Sequence, residues 1–242
     1  MVCFKKQVRK VSVEQRGEFA YSLGNIITWS LTLKPGYRPV VDQHTSNYPN
    51  TLASDIIEYA KDDNTPGHQN RLKNIYENII KPKLSYTSKI YVHLRLGDCS
   101  ISRRVVDKNK ITYVENPVNT THFKNTVIDI YKHDQTTCIN FVTGVHNHKD
   151  LKHNKYLQKG RPGQGSYDNM VEQLETLKTF LEDNYITYDF SINNHPDDDF
   201  LNMVGCKQVV TTYGSFGKYV RMFRALGGAN DDINLCNKNV ER

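Results

Sequence analysis

The chain has 242 residues, 38% hydrophobic and 24% charged, with 15 Tyr and 9 Phe, enough apolar and aromatic material for a packed core and too much for intrinsic disorder. Its net charge of +6 is that of an ordinary solvated surface, or of a protein holding one polyanionic small molecule; without an RNP motif, zinc finger or helix-turn-helix signature, nucleic acid is not an expected partner. No run of about 18 apolar residues could span a bilayer, and five scattered cysteines (Cys3, Cys99, Cys138, Cys206, Cys236) without a C-x-x-C exclude a zinc ribbon and argue against a disulfide framework.

Met1-Val-Cys-Phe-Lys-Lys lacks the apolar stretch of a signal peptide, so a complete chain is expected in the cytoplasm; for a module of a longer protein the compartment is unreadable. The segment from Glu18 to Asn25 reads as a loop feeding a helix at Gly24-Asn25, with Ile26–Leu33 carrying the helical period. Lys34-Pro-Gly-Tyr37 stops that helix, and Arg38–Asp42 is a short strand ending in polar residues. Residues 50–81 are largely helical, broken by the turn cluster Asp62-Asp-Asn-Thr-Pro-Gly67, and Pro82–Ser88 is a linker. Lys89–Arg95 is the strongest strand signal and is closed by Leu96-Gly97-Asp98. A helix over Thr121–Lys132, a strand over Cys138–Thr143, a turn at Gly144 and a loop over Lys159–Ser166 follow. Met170, Val171, Leu174, Leu177 and Leu181 then make Tyr167–Asp183 an amphipathic helix. The rest alternates strand (Ile186–Ile192), short helix (Asp197–Val204), strand (Lys207–Thr212) and helix (Ser215–Leu226). Such alternation predicts a parallel sheet with helices on both faces and ligands beyond the carboxyl ends of its strands. Asp98, His146, Asp198 and Ser215 fall at those ends.

Four segments carry candidate chemistry. In Val92-His93-Leu-Arg95-Leu-Gly97-Asp98, strand alternation puts His93 and Arg95 on one face. Arginine at a strand end beside glycine suits a phosphate, because the planar guanidinium grips two oxygens and keeps its charge; an Arg95–Asp98 ion pair is the structural alternative. In the stretch Val209-Val-Thr-Thr-Tyr-Gly214-Ser215-Phe216-Gly217, a β-branched strand passes through glycine into a helix. Its first N–H groups and the Ser215 hydroxyl would cradle an anion, while Ser215 as a plain N-cap is the alternative. This is neither a Walker A loop nor G-x-G-x-x-G. His195-Pro-Asp197-Asp198-Asp199-Phe200 opens a helix with three acids. They complement the helix dipole or offer one carboxylate to a base edge or ribose hydroxyl; a metal is not expected there, since the acids follow a proline rather than a strand. His146-Asn-His148 with His153 shows no third metal ligand and reads as a loop. No G-x-S-x-G supports a hydrolase triad.

Taken in order, these segments resemble the GDP-fucose-dependent fucosyltransferases, the broad superfamily of α-1,2-, α-1,6- and protein O-fucosyltransferases. His93-Leu-Arg95-Leu-Gly97-Asp98 is similar to their His-x-Arg-Arg-Gly-Asp or His-Leu-Arg signature. The stretch from Asp198 to Gly217 is similar to their C-terminal block with its Ser-Ser-Phe-type turn, and Leu23-Gly24-Asn25 to their N-terminal Gly-Asn loop. The likeness covers the last two thirds of the chain and, in the first third, that loop alone. It implies a compact, GT-B-like α/β architecture of two Rossmann-type halves, with parallel sheets and helices on both faces. Residues 1–87 would form a reduced, acceptor-side half and residues 88–242 the nucleotide-sugar-binding half.

The resemblance further implies a metal-independent, inverting transfer of a deoxyhexose, from GDP-fucose in the first place, to a glycan or protein hydroxyl, with no cofactor. Arg95 would hold the β-phosphate and stabilise the leaving diphosphate. His93 and Asp98 would shape the donor site, Asp198 or Asp199 would contact the nucleoside, and Gly214, Ser215 and Phe216 would bind phosphate. Gly24 and Asn25 would meet the diphosphate or sugar. The chain departs from the pattern at Leu96, where a second arginine is common, and at Tyr213-Gly214-Ser215, where Ser-Ser is usual. No family position supplies a general base; Glu18 and Asp42 are the candidates for deprotonating the acceptor hydroxyl. UDP- or dTDP-linked rhamnose is the alternative donor. A non-catalytic sugar-nucleotide- or glycan-binding domain is the alternative of another class, and a basic nucleic-acid-associated α/β protein is a third.

Overall fold

Local propensity and long-range pairing divide the chain into seven helices and seven strands among the residues that a computed structural model describes: 19–32, 52–96, 103–107, 110–114, 117–143, 167–192, 194–212 and 214–235. Three helices come first: α1 (Phe19–Thr32), α2 (Leu52–Asp62) and α3 (His68–Ile75). The last continues through a π turn (Tyr76–Ile80) and a 3-10 turn (Lys81–Lys83). Then follow β1 (Thr87–His93), β2 (Arg103–Asp107), β3 (Lys110–Val114) and α4 (Thr121–His133). The remainder alternates: β4 (Ile139–Thr143), α5 (Tyr167–Asp183), β5 (Tyr188–Ile192), α6 (Pro196–Val204), β6 (Cys206–Thr211), α7 (Ser215–Leu226) and β7 (Ile233–Asn234).

The expected parallel sheet is present, in the order β5-β4-β1-β6-β7 with every neighbour parallel. The fold is α/β and Rossmann-like. The chain starts at the centre with β1, steps outward through β4 to β5, then crosses back to lay β6 on the other side of β1. That reversal makes the gap between β1 and β6 the topological switch point, where open α/β sheets bind ligands. All five residues of β4 are buried, as befits a strand covered on both faces.

Side-chain alternation splits the sheet between two cores. Ile90, Val92 and Leu94 of the β1 segment join Phe141 and Val210 beneath α4 and α5, which contribute Phe123, Val127, Ile130, Leu177 and Leu181. Tyr91, Val142 and Val209 face the other way, onto α6 and α7. Helix α7 buries Phe216, Tyr219, Val220 and Phe223, the i, i+3, i+4, i+7 stripe of an amphipathic helix. Each such side chain stabilises the fold by about 1.5–3 kcal/mol when taken from water. Capping fixes the helix starts: Thr120 Oγ1 accepts from Phe123 N at 3.1 Å for α4, and Pro196 occupies the first turn of α6, where its missing N–H costs nothing.

Helices α1, α2 and α3 lie in the same core as α6 and α7, through Leu23, Ile27, Ile56, Leu72, Ile75 and Tyr76. Among the described residues before β1, every element is helical, and the described parallel strands form one sheet. The expected strand Arg38–Asp42 lies outside the described residues. One expectation is corrected: Gly24-Asn25 is not a loop before a helix but lies inside α1. Glycine there serves close packing rather than a turn, as the site geometry shows.

The hairpin of β2 and β3 was not anticipated. Its signal was two β-branched runs, Arg103-Arg-Val-Val and Ile111-Thr-Tyr-Val, either side of a short polar link. No helix among the described residues is long and apolar enough to cross a membrane.

Candidate functional site

The carboxyl ends of β1 and β6 are tied together at the switch point. Thr212 N donates to His93 O at 3.3 Å, Thr212 Oγ1 donates to the same carbonyl at 3.0 Å, and Arg95 N donates to Thr212 Oγ1 at 3.0 Å. On the other side Leu94 N donates to Val142 O at 2.8 Å. These bonds continue the sheet past the last β1 residue and fix the backbone that carries Arg95. Leu94 and Leu96 are buried beneath α4 and α5, and Arg95, between them, is only half-buried.

The Arg95 guanidinium lies against Gly214, the residue that starts α7. A methyl group on Gly214 would sit 2.7 Å from Arg95 Nη1 and 3.2 Å from its Cδ, and Gly214 has φ 112, so only glycine fits here. The start of α7 has no side-chain cap among the described residues; Ser215 is its first helical residue and does not act as the N-cap. The first N–H groups of a helix have no intrahelical partner and carry its positive dipole end. A guanidinium beside such a terminus is a site for an anion.

Gly24 of α1 closes the site from the other side. A methyl group on it would approach Ser215 Oγ to 2.5 Å and Phe216 N to 2.8 Å. The register of this contact is set one turn on, where Tyr219 OH donates to Thr28 Oγ1 at 2.9 Å and Thr28 Oγ1 donates to Gly24 O at 2.8 Å. Residues almost 200 positions apart are thus held at the first turn of α7.

His93 lies beneath that turn. Its ring stacks on Phe216 with centroids 5.2 Å apart, and its Nδ1 would be 3.2 Å from a methyl group on Gly217. Burial and the nearby Arg95 charge lower its pKa to about 4, so the ring is neutral at pH 7. His93 Nδ1 and Thr211 Oγ1, register partners on adjacent strands, are both buried without a hydrogen-bond partner among the described residues. A buried polar group left unpaired costs about 1–3 kcal/mol.

The three acids of α6 diverge. Asp197 Oδ2 accepts from Leu52 N at 2.6 Å and so caps α2. Asp199 is 7% exposed and accepts from Ser191 Oγ at 3.2 Å; burial raises its pKa to about 6. Asp198 is exposed. The next residue, Phe200, packs edge-on to Phe216 with centroids 5.2 Å apart, so the starts of α6 and α7 are neighbours. His195, whose Nδ1 accepts from Asp197 N at 3.3 Å, is the N-cap of α6.

Of the sequence-predicted residues, Gly24, His93, Arg95, Gly214, Ser215 and Phe216 come together at the switch point, with Asp198 and Asp199 on the adjoining helix start. Asn25 lies in α1 next to Gly24. Glu18, Asp42 and Asp98 lie outside the described residues, as do His146, His148 and His153. Sequence reasoning missed the role of Thr212, which lies in the Val209–Gly217 segment and holds Arg95 in place, and missed Thr28 with Tyr219, which hold Gly24 and stand in no motif. Neither a protein-family model, a curated protein nor a solved structure matches the chain.

Proposed function

We propose that this protein is a metal-independent, inverting glycosyltransferase that moves a deoxyhexose, from GDP-fucose in the first place, to a glycan or protein hydroxyl. The supporting observation is the Arg95 guanidinium lying against Gly214 at the start of α7, which has no side-chain cap among the described residues, on the switch point of a Rossmann-like sheet. In this reading the acceptor oxygen attacks the anomeric carbon from the face opposite the diphosphate. The bond from that carbon to the diphosphate oxygen breaks, and the leaving diphosphate gains negative charge. Arg95 and the first N–H groups of α7 stabilise that charge where it develops. Neutral His93, Gly24 and Asn25 shape the pocket around the phosphates and sugar, with Asp98 beyond β1. Asp198, exposed at the start of α6, is better disposed toward the nucleoside than Asp199, whose carboxylate is engaged by Ser191.

A carboxylate must take the acceptor proton, and Glu18 or Asp42 is assigned that role. In a GT-B arrangement residues 88–242 are the donor half, and α1 to α3 belong to the acceptor-side segment 1–87.

A thermal-shift panel of nucleoside diphosphates and sugar nucleotides tests the donor: GDP and GDP-fucose are expected to stabilise the chain more than UDP or dTDP. Arg95→Ala is expected to lower GDP-fucose hydrolysis by about 10²-fold, and Arg95→Lys not to restore it, since a point charge lacks the planar fork. Selective stabilisation by UDP or dTDP overturns the donor, and wild-type hydrolysis in Arg95→Ala overturns the site.

A further inference from the structure

A diphosphate carries more negative charge than one guanidinium neutralises, and the residue after Arg95 adds no cation: Leu96 is 1% exposed and lies in the core beneath α4 and α5. A second cation stands one turn into α7. Lys218 N donates to Gly214 O at 3.2 Å, and Gly214 is the residue against which the Arg95 guanidinium lies. At a rise of about 1.5 Å per residue, Lys218 is about 6 Å along the helix axis from Gly214. Side chains of a helix lean toward its N-terminus, so a long one at this position covers the turn that begins at Gly214.

Lys218 is exposed, and its ammonium lies 5.3 Å from the centroid of the Tyr219 ring. Tyr219 OH bonds Thr28 of α1, one turn on from Gly24, which itself lies against Ser215 and Phe216 N. Lys218 thus stands at the seam of α1 and α7, whereas Arg95 reaches Gly214 from the end of β1. Other lysines are engaged by carboxylates: Lys81 by Glu77 at 2.7 Å, Lys83 by Asp55 at 3.1 Å and Lys207 by Asp134 at 3.2 Å. Among the described residues no carboxylate pairs with Lys218. An exposed cation–π contact is weak, so an anion at the helix start can draw the ammonium from the ring. Beneath the same turn, His93 Nδ1 and Thr211 Oγ1 are buried without a partner among the described residues, and a methyl group on Gly217 would be 3.2 Å from that Nδ1 and 3.0 Å from Thr211 Cβ. Unpaired polar atoms below and a guanidinium at its start set this turn apart from a plain helix N-terminus.

We infer that Lys218 is the second cation of the Arg95 site, gripping a diphosphate from the α1 side while Arg95 grips it from the end of β1. This rests on the reading of that site as a diphosphate site.

Calorimetric titration of the full chain with GDP, GMP and inorganic pyrophosphate tests the inference. Lys218→Gln is expected to weaken GDP and pyrophosphate about tenfold, GMP less, and the difference from wild type to shrink as salt rises. Lys218→Arg, which keeps the charge, is expected to retain most of the affinity. Lys207→Gln removes one charge from a lysine already paired with Asp134 and is expected to leave binding unchanged. Wild-type affinity in Lys218→Gln, or an equal loss in Lys207→Gln, overturns the inference; if Arg95→Ala still weakens GDP, the diphosphate site itself stands. Pyrophosphate binding that needs both Arg95 and Lys218, in a chain with no preference for a nucleoside diphosphate, supports the two-cation grip and removes the transferase reading. Binding of none of the three by wild type overturns both.

Discussion

His93 and Asp199, both buried near the candidate site, titrate in opposite senses. His93 has a folded pKa of about 4 against an ordinary 6.5, so between those values the unfolded chain binds a proton that the native chain does not. Its contribution to stability is lost as pH falls from 6.5 toward 4. Asp199 has a folded pKa of about 6 against 3.8, so in almost the same window the native chain keeps a proton that the unfolded chain releases. Its contribution is full below pH 3.8 and lost as pH rises through 6. The two effects oppose each other, each amounting to about 3 kcal/mol by its pKa displacement. Urea denaturation across pH 4–6.5 checks this. The stability of wild type relative to Asp199→Asn is expected to fall with rising pH, and relative to His93→Gln to rise. Parallel profiles for wild type and either variant would refute the assignment of that group.

At the scale of single elements, the end of the sheet opposite the site is closed by Arg224 of α7, 3% exposed. Its Nε donates to both carboxylate oxygens of Asp232, at 2.8 and 2.9 Å. Its Nη1 donates to Val204 O at 3.2 Å and to Cys206 O, and its Nη2 to Lys207 O at 3.0 Å. One guanidinium thereby joins the last turn of α6, the start of β6 and the segment before β7. Burial raises the pKa of Asp232 despite this pairing, so the carboxylate is costly once alone. Arg224→Met is expected to destabilise by about 3–5 kcal/mol, with partial recovery in Arg224→Met/Asp232→Asn. Chemical denaturation measures both, and a loss below about 1 kcal/mol in the single variant would contradict the role. Nothing local marked Arg224 as buried: it reads as a basic residue in a last helical turn. The strands and helices after β1 were legible because period and β-branching are local signals. Gly24 was legible as important but misread as a turn, because its reason is the proximity of Ser215, far along the chain.

For the whole molecule, the N-terminal helices and the sheet are joined by contacts that no sequence pattern announces. Asp197 of α6 accepts from Leu52 N, 145 positions away, and Tyr219 of α7 bonds Thr28, 191 positions away. The alternation of strand and helix foretold the Rossmann-like sheet, and its order locates the switch point at β1 and β6. The placement of the first helices against α6 and α7 emerged only in three dimensions. The proposed site joins Arg95 beside Gly214 at the start of α7 to Gly24 of α1, which lies against Ser215 and Phe216. Calorimetric titration of GDP into wild type and Arg95→Ala tests that most directly. Binding by wild type that is lost or weakened at least about tenfold in a folded Arg95→Ala chain is the expected result. Equal affinity in the two, or no GDP binding by wild type, would contradict the diphosphate site.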